Sequence, residues 1–267
     1  MRLVYLGTPA IAVPALEALV AAGHDVALVV TGADKRRGRG NETSPSPVKE
    51  AATRLGIPVS HEVDDVLIVG AELGVVVAFG RLIKPHVLAQ LPMVNLHFSL
   101  LPRWRGAAPV ERALLAGDAV TGVCVMALEA GLDTGGVYAK IEVPIGPTIT
   151  LGQLREQLVD VGTRLLIDTL ARGLGEPEPQ QGEPTYASKI DPAELRIDWS
   201  RPAVEIDRLV RLGRAWTTFR GGRVKIIGAR LEGDDIVPTV VQPEGKPAME
   251  FEAWRNGARL APGEWFE

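Results

Sequence analysis

Three residues whose types could do chemistry stand at alternate positions in the chain: an amide at Asn95, an imidazole at His97 and a hydroxyl at Ser99, just ahead of a Leu100-Leu101-Pro102 break. Read as a strand from Val94 to Phe98, period-2 alternation turns Asn95 and His97 to one face at the strand's C-terminal end. Open α/β sheets keep their chemistry there. Further along, Gly131-Leu132-Asp133-Thr134-Gly135-Gly136 offers a carboxylate in a glycine-rich loop. An amide with a His/Asp pair suits acyl transfer, because the amide can hold a developing oxyanion while the pair moves and stabilises protons. Spacing alone also admits a plainer reading, with Asn95 ending the strand in a turn and His97 a satisfied core histidine.

The elements that must position these residues read as one doubly wound, mainly parallel sheet. Arg2 to Leu6 is an apolar run ending at Gly7, and Ile11 to Ala22 has helical spacing. Only one glycine precedes that helix, so the Gly-x-Gly-x-x-Gly of a dinucleotide site is missing. Strands are expected at Asp25 to Thr31, Ile57 to Ser60, Leu73 to Phe79, Gly122 to Leu128 and Val137 to Val143. Leu73 to Phe79 is continuously apolar, as in a parallel strand covered on both faces. Helices are expected from Ser44-Pro45-Ser46-Pro47, with a hydroxyl cap and prolines in the first turn, to about Leu55, from Pro85 to Gln90, from Ala107 to Ala116 and from Thr150 to about Gly173. Residues 175–189, rich in glycine, proline and acid without apolar period, read as a linker between a catalytic domain at 1–174 and a small β-rich domain at 190–267. In the latter a helix is expected from Pro202 to Leu212 and a hairpin from Phe219 to Leu231, turning at Gly221-Gly222.

Composition bounds the rest. With 267 residues, 46% hydrophobic and 23% charged, the chain is long enough for a large core and a smaller second unit. No apolar run approaches the ~20 residues of a membrane span, and the N-terminus reads straight into a strand, so a cytoplasmic protein away from membranes is expected. Cys124 is the single cysteine, which excludes an internal disulfide and a thiolate metal cluster. Its four histidines, His24, His61, His86 and His97, lack metal-ligand spacing, and no metal is expected. Net charge is −4, but the charge is unevenly spread. Residues 34–39 hold four cations (Lys35, Arg36, Arg37, Arg39) and one anion, and residues 201–230 hold eight Arg/Lys against two acids. Local basic patches of this kind are the footprint of a polyanion partner or a solvated face.

The string Asn-Leu-His-Phe-Ser-Leu-Leu-Pro with the later Gly-Leu-Asp-Thr-Gly resembles the folate-dependent formyltransferases. Arg103-Trp104-Arg105-Gly106-Ala107-Ala108-Pro109, Tyr186-Ala187-Ser188-Lys189-Ile190, Arg196-Ile197-Asp198-Trp199 and Gln242-Pro243-Glu244-Gly245 resemble the branch of that family acting on methionyl-tRNA. The resemblance implies a formyltransferase-like Rossmann variant that moves the formyl group of 10-formyltetrahydrofolate to the methionyl amine of charged initiator tRNA, as a monomer without metal. It assigns catalysis to Asn95, His97 and Asp133, and folate contacts to Phe79, Gly80, Arg81, Leu82, Ile83, Ser99, Leu100, Leu101 and Pro102. It assigns tRNA contacts to Lys35, Arg36, Arg37 and Arg39, and with the basic C-terminal segment to Arg208, Arg211 and Arg214. Relatives acting on sugar amines, or hydrolysing the formyl donor, share the same three catalytic residues. Two departures from the family pattern stand out: Phe98 replaces a small residue, and the C-terminal segment is too short for a complete OB-like barrel.

Overall fold

Alternating apolar strands and helices in the first two-thirds of the chain build a seven-stranded sheet in this computed structural model, which describes residues 1–36, 43–261 and 263–267. The chain divides into two compact units, one of Met1–Pro109, Val120–Pro144 and Arg155–Ala187, the other of Val110–Ala119, Ile145–Leu154 and Ser188–Glu267.

The strands of this sheet, all in the first unit, are β1 (Arg2–Gly7), β2 (Asp25–Val30), β3 (Val59–Ser60), β4 (Leu73–Val77), β5 (Met93–His97), β6 (Val120–Ala127) and β7 (Val137–Pro144). They lie in the order β7-β6-β5-β4-β1-β2-β3. β1 to β5 pair in parallel, while β6 runs antiparallel to both β5 and β7. Parallel neighbours need crossover connections, and helices α1 (Val13–Ala21), α2 (Pro47–Arg54) and α3 (Pro85–Leu88) supply three of them. Ser46 caps α2 by accepting the Lys49 N–H at 3.0 Å, with Pro47 in the first turn, as the Ser-Pro-Val-Lys sequence requires.

All five residues of β4 are buried. The apolar run predicts a strand reaching Phe79, but β4 stops at Val77, because Ala78 (φ 47°) and Gly80 (φ 73°) turn the backbone out of extended geometry. On one face of the sheet Val4, Leu6, Val76 and Met93 cluster with Val87 of α3 and with Val63 and Val66 of a short 3-10 turn. Fully burying each such side chain contributes about 1.5–3 kcal/mol. Helices α4 (Pro109–Ala116) and α5 (Leu151–Arg172) follow β5 and β7. α5 reaches the sheet at Gly162, where a Cβ would stand 2.9 Å from Val123 and 3.5 Å from Leu96. Leu96 alternates with Asn95 and His97, so this helix covers the face turned away from them.

The second unit carries α6 (Ala203–Arg211), strands β8 (Trp216–Phe219), β9 (Gly222–Glu232), β10 (Asp235–Pro243) and β11 (Met249–Glu250), and helix α7 (Phe251–Ala258). The strands form an antiparallel sheet in chain order. Its hairpin differs from the sequence expectation: β8 starts at Trp216, the turn is Arg220-Gly221, and β9 pairs with β10 in a second, longer hairpin. Ile206, Val210, Val224, Ile226 and Val241 pack with Phe251, Trp254 and Phe266. Trp254 and Phe266 stack with centroids 5.0 Å apart. Mostly parallel α/β sheet plus small antiparallel β unit is the fold class expected. Among the described residues no helix is long and apolar enough to cross a membrane.

Candidate active site

β5 carries two of the three candidate catalytic residues. Its register sets Asn95 beside Val76 of β4 and Met126 of β6, and His97 beside Cys124. Asn95 is half-buried, and among the described residues its side-chain amide has no hydrogen-bond partner. A half-buried amide without a partner is costly to keep unless a ligand uses it. Beside the strand, burial pushes the Cys124 thiol above its ordinary pKa, which keeps it unreactive.

His97 is hydrogen-bonded at one ring nitrogen and faced by a carboxylate at the other. Nε2 lies 3.0 Å from the Trp104 carbonyl. A carbonyl only accepts, so Nε2 carries a proton and Nδ1 is left to exchange one. Nδ1 lies 3.6 Å from Asp133 Oδ2, with only 6% and 12% of the two side chains exposed. The same Asp133 oxygen accepts the Gly106 N–H at 2.7 Å. Asp133 itself adopts φ 50°, a left-handed conformation that Asp tolerates better than most residues.

The chain after β5 is shaped by its own polar groups. Ser99 is fully buried and donates its hydroxyl to the Arg103 carbonyl at 2.6 Å, so it shapes the loop from inside. Leu101 and Phe98 are buried, and Leu101 packs with Cys124 and Met126. The loop is then clamped by residues from the Gly/Pro-rich stretch near 180. The Trp104 N–H donates to Thr185 Oγ1 at 2.9 Å, and Arg105–Gly106 pairs in parallel with Tyr186–Ala187. Gly106 has φ 115°, and an added Cβ would stand 3.0 Å from the Ala187 carbonyl oxygen. Sequence reasoning did not find these clamps, nor Gln180, whose amide reaches the Asp133 and Gly135 carbonyls.

The remaining sequence-assigned residues fall as follows. In the loop after β4, Phe79 and Ile83 are buried while Gly80, Arg81 and Leu82 are exposed, Leu82 to 78%. The Phe79 carbonyl accepts from Thr8 at 3.4 Å, and Arg81 donates to the His61 carbonyl. Among the described residues, nothing accepts from the N–H groups of Arg81, Leu82 and Ile83. Lys35 is exposed and, with Arg36, pairs with Thr43–Ser44, while Arg37 and Arg39 lie outside the described residues. In the second unit Arg208 reaches the Ala116 carbonyl at 3.4 Å, Arg211 pairs with Asp207 at 2.8 Å, and Arg214 is exposed.

A mostly parallel α/β sheet carrying this amide, imidazole and carboxylate defines a group-transfer enzyme, and the chain belongs to the formyl transferase family. The family model described as formyl transferase matches residues 1–170, and the one described as formyl transferase, C-terminal domain, matches residues 189–236. The methionyl-tRNA formyltransferase of Dinoroseobacter shibae is 50% identical over 261 residues, covering 91% of this chain and 87% of that protein. That of Roseobacter denitrificans is 44% identical over 305 aligned positions, covering 100% of this chain and 99% of its own. That alignment exceeds the chain's 267 residues, so this relative carries residues the chain lacks. Among solved structures, the N-formyltransferase of Helicobacter canadensis in complex with folinic acid and dTDP-3-aminofucose shares the fold, with TM-score 0.71 at 19% identity over 92% of this chain and 96% of its own. A methionyl-tRNA formyltransferase from Clostridium thermocellum superposes with TM-score 0.65 at 16% identity, covering 91% and 98%.

Proposed function

We propose that this enzyme transfers the formyl group of 10-formyltetrahydrofolate to the α-amino group of methionine carried on initiator tRNA. The observation carrying the chemistry is the Asn95 amide, without a hydrogen-bond partner among the described residues, on the strand face that also bears His97, with Asp133 against the imidazole. Asn95 donates to the oxygen on which negative charge develops, a contribution worth roughly 100- to 1,000-fold in rate. His97 gives from Nδ1 the proton that the departing nitrogen must gain, and Asp133 fixes the ring, balances its charge and relays back to it the proton that the attacking amine loses. Gly106 in turn fixes the carboxylate.

When bound, the folate supplies a formyl carbon on nitrogen. The residues present fit such a heterocycle: Phe79 and Ile83 anchor the loop after β4 in the core, and the N–H groups of Arg81, Leu82 and Ile83, without acceptors among the described residues, are donors for its polar edge. Leu100, Leu101 and Pro102 would flank it.

The acceptor reading is supported by the name shared by the relatives 50% and 44% identical to the chain, and by the exposed cations Lys35, Arg214, Arg223 and Lys225. Labelled formyl transfer, run in parallel with charged initiator tRNA, a sugar amine and water as acceptors, tests it. The expected product is formyl-methionyl-tRNA. Preferential formylation of the sugar amine, or release of formate to water, overturns the acceptor assignment.

A further inference from the structure

We propose that Gln180 is a positioning residue of this site, its carboxamide fixing the loop that presents Asp133 to His97; the inference rests on the formyl-transfer reading. Gln180 Nε2 donates to the carbonyls of Asp133 and Gly135, both at 2.8 Å. Its Oε1 accepts from Arg105 Nε at 3.1 Å and Nη2 at 2.7 Å. A carboxamide has two N–H donors and two acceptor lone pairs, and all four are used here. Carbonyls only accept and a guanidinium only donates, so the partners dictate which way the amide points.

The placement explains why these four bonds matter. Arg105 precedes Gly106, whose N–H holds the Asp133 carboxylate, so one side chain ties together the two loops that meet at Asp133. At φ 50° the Asp133 backbone is in a conformation that persists only when its surroundings over-determine it. Gln180 in turn sits on a segment pinned at both ends. Glu178 exchanges backbone hydrogen bonds with Val137 at 2.8 and 2.9 Å, and Tyr186–Ala187 pairs with Arg105–Gly106. Thr185 adds two bonds, accepting from Arg105 N–H and donating to the Pro102 carbonyl. A displacement of about 1 Å at a catalytic group costs on the order of 100-fold in rate, so the carboxamide acts on turnover through Asp133 without touching substrate.

Two variants separate positioning from general support. Gln180→Glu keeps the shape and the Arg105 acceptor but removes both donations; Gln180→Met keeps the length and removes all four bonds. Both should lower kcat by about 10-fold or more with KM for either substrate within about two-fold. In the substrate-free enzyme, hydrogen exchange at the Gly106 amide should speed up by about 10-fold or more, while exchange in the β9–β10 hairpin is unchanged. Parent-like kcat in Gln180→Glu, a rise in KM alone, or unchanged Gly106 exchange overturns the proposal. Absence of formyl transfer in the parent would sink the functional reading instead, and Gly106 exchange would still decide the role of Gln180.

Discussion

One oxygen of Asp133 faces two partners: Oδ2 accepts the Gly106 N–H at 2.7 Å and stands 3.6 Å from Nδ1 of His97. The first is a full hydrogen bond and the second is longer than one. Asp133→Asn can still accept from Gly106 but no longer balances an imidazolium. It should keep its melting midpoint within a few degrees and lose about 100-fold or more in kcat. Near-parent kcat with a lowered melting midpoint would assign Asp133 a turn role only.

Asn95 lies one alternate position before His97, and its amide has no described partner to lose. Asn95→Ala should therefore cost little stability, within about 0.5 kcal/mol. Turnover should fall roughly 100- to 1,000-fold while the dissociation constant for the folate donor changes by less than about two-fold. Steady-state kinetics alongside equilibrium titration of the donor decide it. A folded variant with near-normal kcat removes the oxyanion role.

The Asn-x-His pair is legible because a strand's period of two is visible in sequence, and Asp133 because its glycine-rich loop is. What holds them is not. The Trp104 carbonyl and Gly106 N–H are backbone groups with no residue-type signal. Gln180 lies 47 residues from Asp133 in a stretch of glycine, proline and acid without apolar period. Its role exists only through long-range pairing. In the second unit α7 escapes a sequence reading because only Phe251 and Trp254 face the core from a helix of 8 residues, too few to show a helical period. The early end of β4 at Val77 is a tertiary effect on Ala78, whose identity predicts no left-handed turn.

Gly135 shows how tightly the Asp133 loop is seated. A Cβ there would stand 1.9 Å from the Ala127 carbonyl oxygen and 2.8 Å from its carbon, both backbone atoms of the neighbouring strand. Gly135→Ala must move one backbone or the other, and should destabilise by about 1–3 kcal/mol. Because Asp133 is two residues away, kcat should fall more than the folded fraction does. Urea unfolding and turnover on the same preparation test this; turnover that tracks the folded fraction would mean the loop adjusts without disturbing the site.

The second unit has a pH-dependent tie. Glu264 accepts both Nε and Nη2 of Arg220 at 2.6 Å, and also the Ala261 N–H at 2.9 Å. The Arg220 hydrogen bonds are the main cause that holds its carboxyl down to about 2. A folded-state value below the unfolded one, about 4.3 for glutamate, gives stability that is complete above that range and is lost as pH falls toward the folded value. Glu264→Gln should unfold the unit more easily than the parent at pH 7, and the difference should close between about pH 4 and pH 2. Tryptophan fluorescence during urea titration reads it, since Trp254 and Trp265 lie in this unit's aromatic cluster. A gap of constant size across that window counts against the tie.

Arg211 and Arg214 are three residues apart, yet the structure gives them different work. Arg211 is paired with Asp207 at 2.8 Å, the two side chains 12% and 13% exposed, and donates to the Ile149 carbonyl at 3.3 Å. Removing it strands a mostly buried carboxylate, so Arg211→Ala should lower stability by up to roughly 3–5 kcal/mol. Arg214 is exposed and, among the described residues, has no ion pair, which leaves its charge for a polyanion. Arg214→Ala should change stability by less than about 0.5 kcal/mol. It should weaken binding of charged initiator tRNA and flatten the dependence of log affinity on log salt by about 0.9 for each duplex phosphate that is no longer neutralised. Chemical denaturation separates the two variants on stability, and tRNA titrations at several salt concentrations separate them on binding. If Arg214→Ala binds tRNA as the parent does throughout the salt series, this arginine is only a solvated charge.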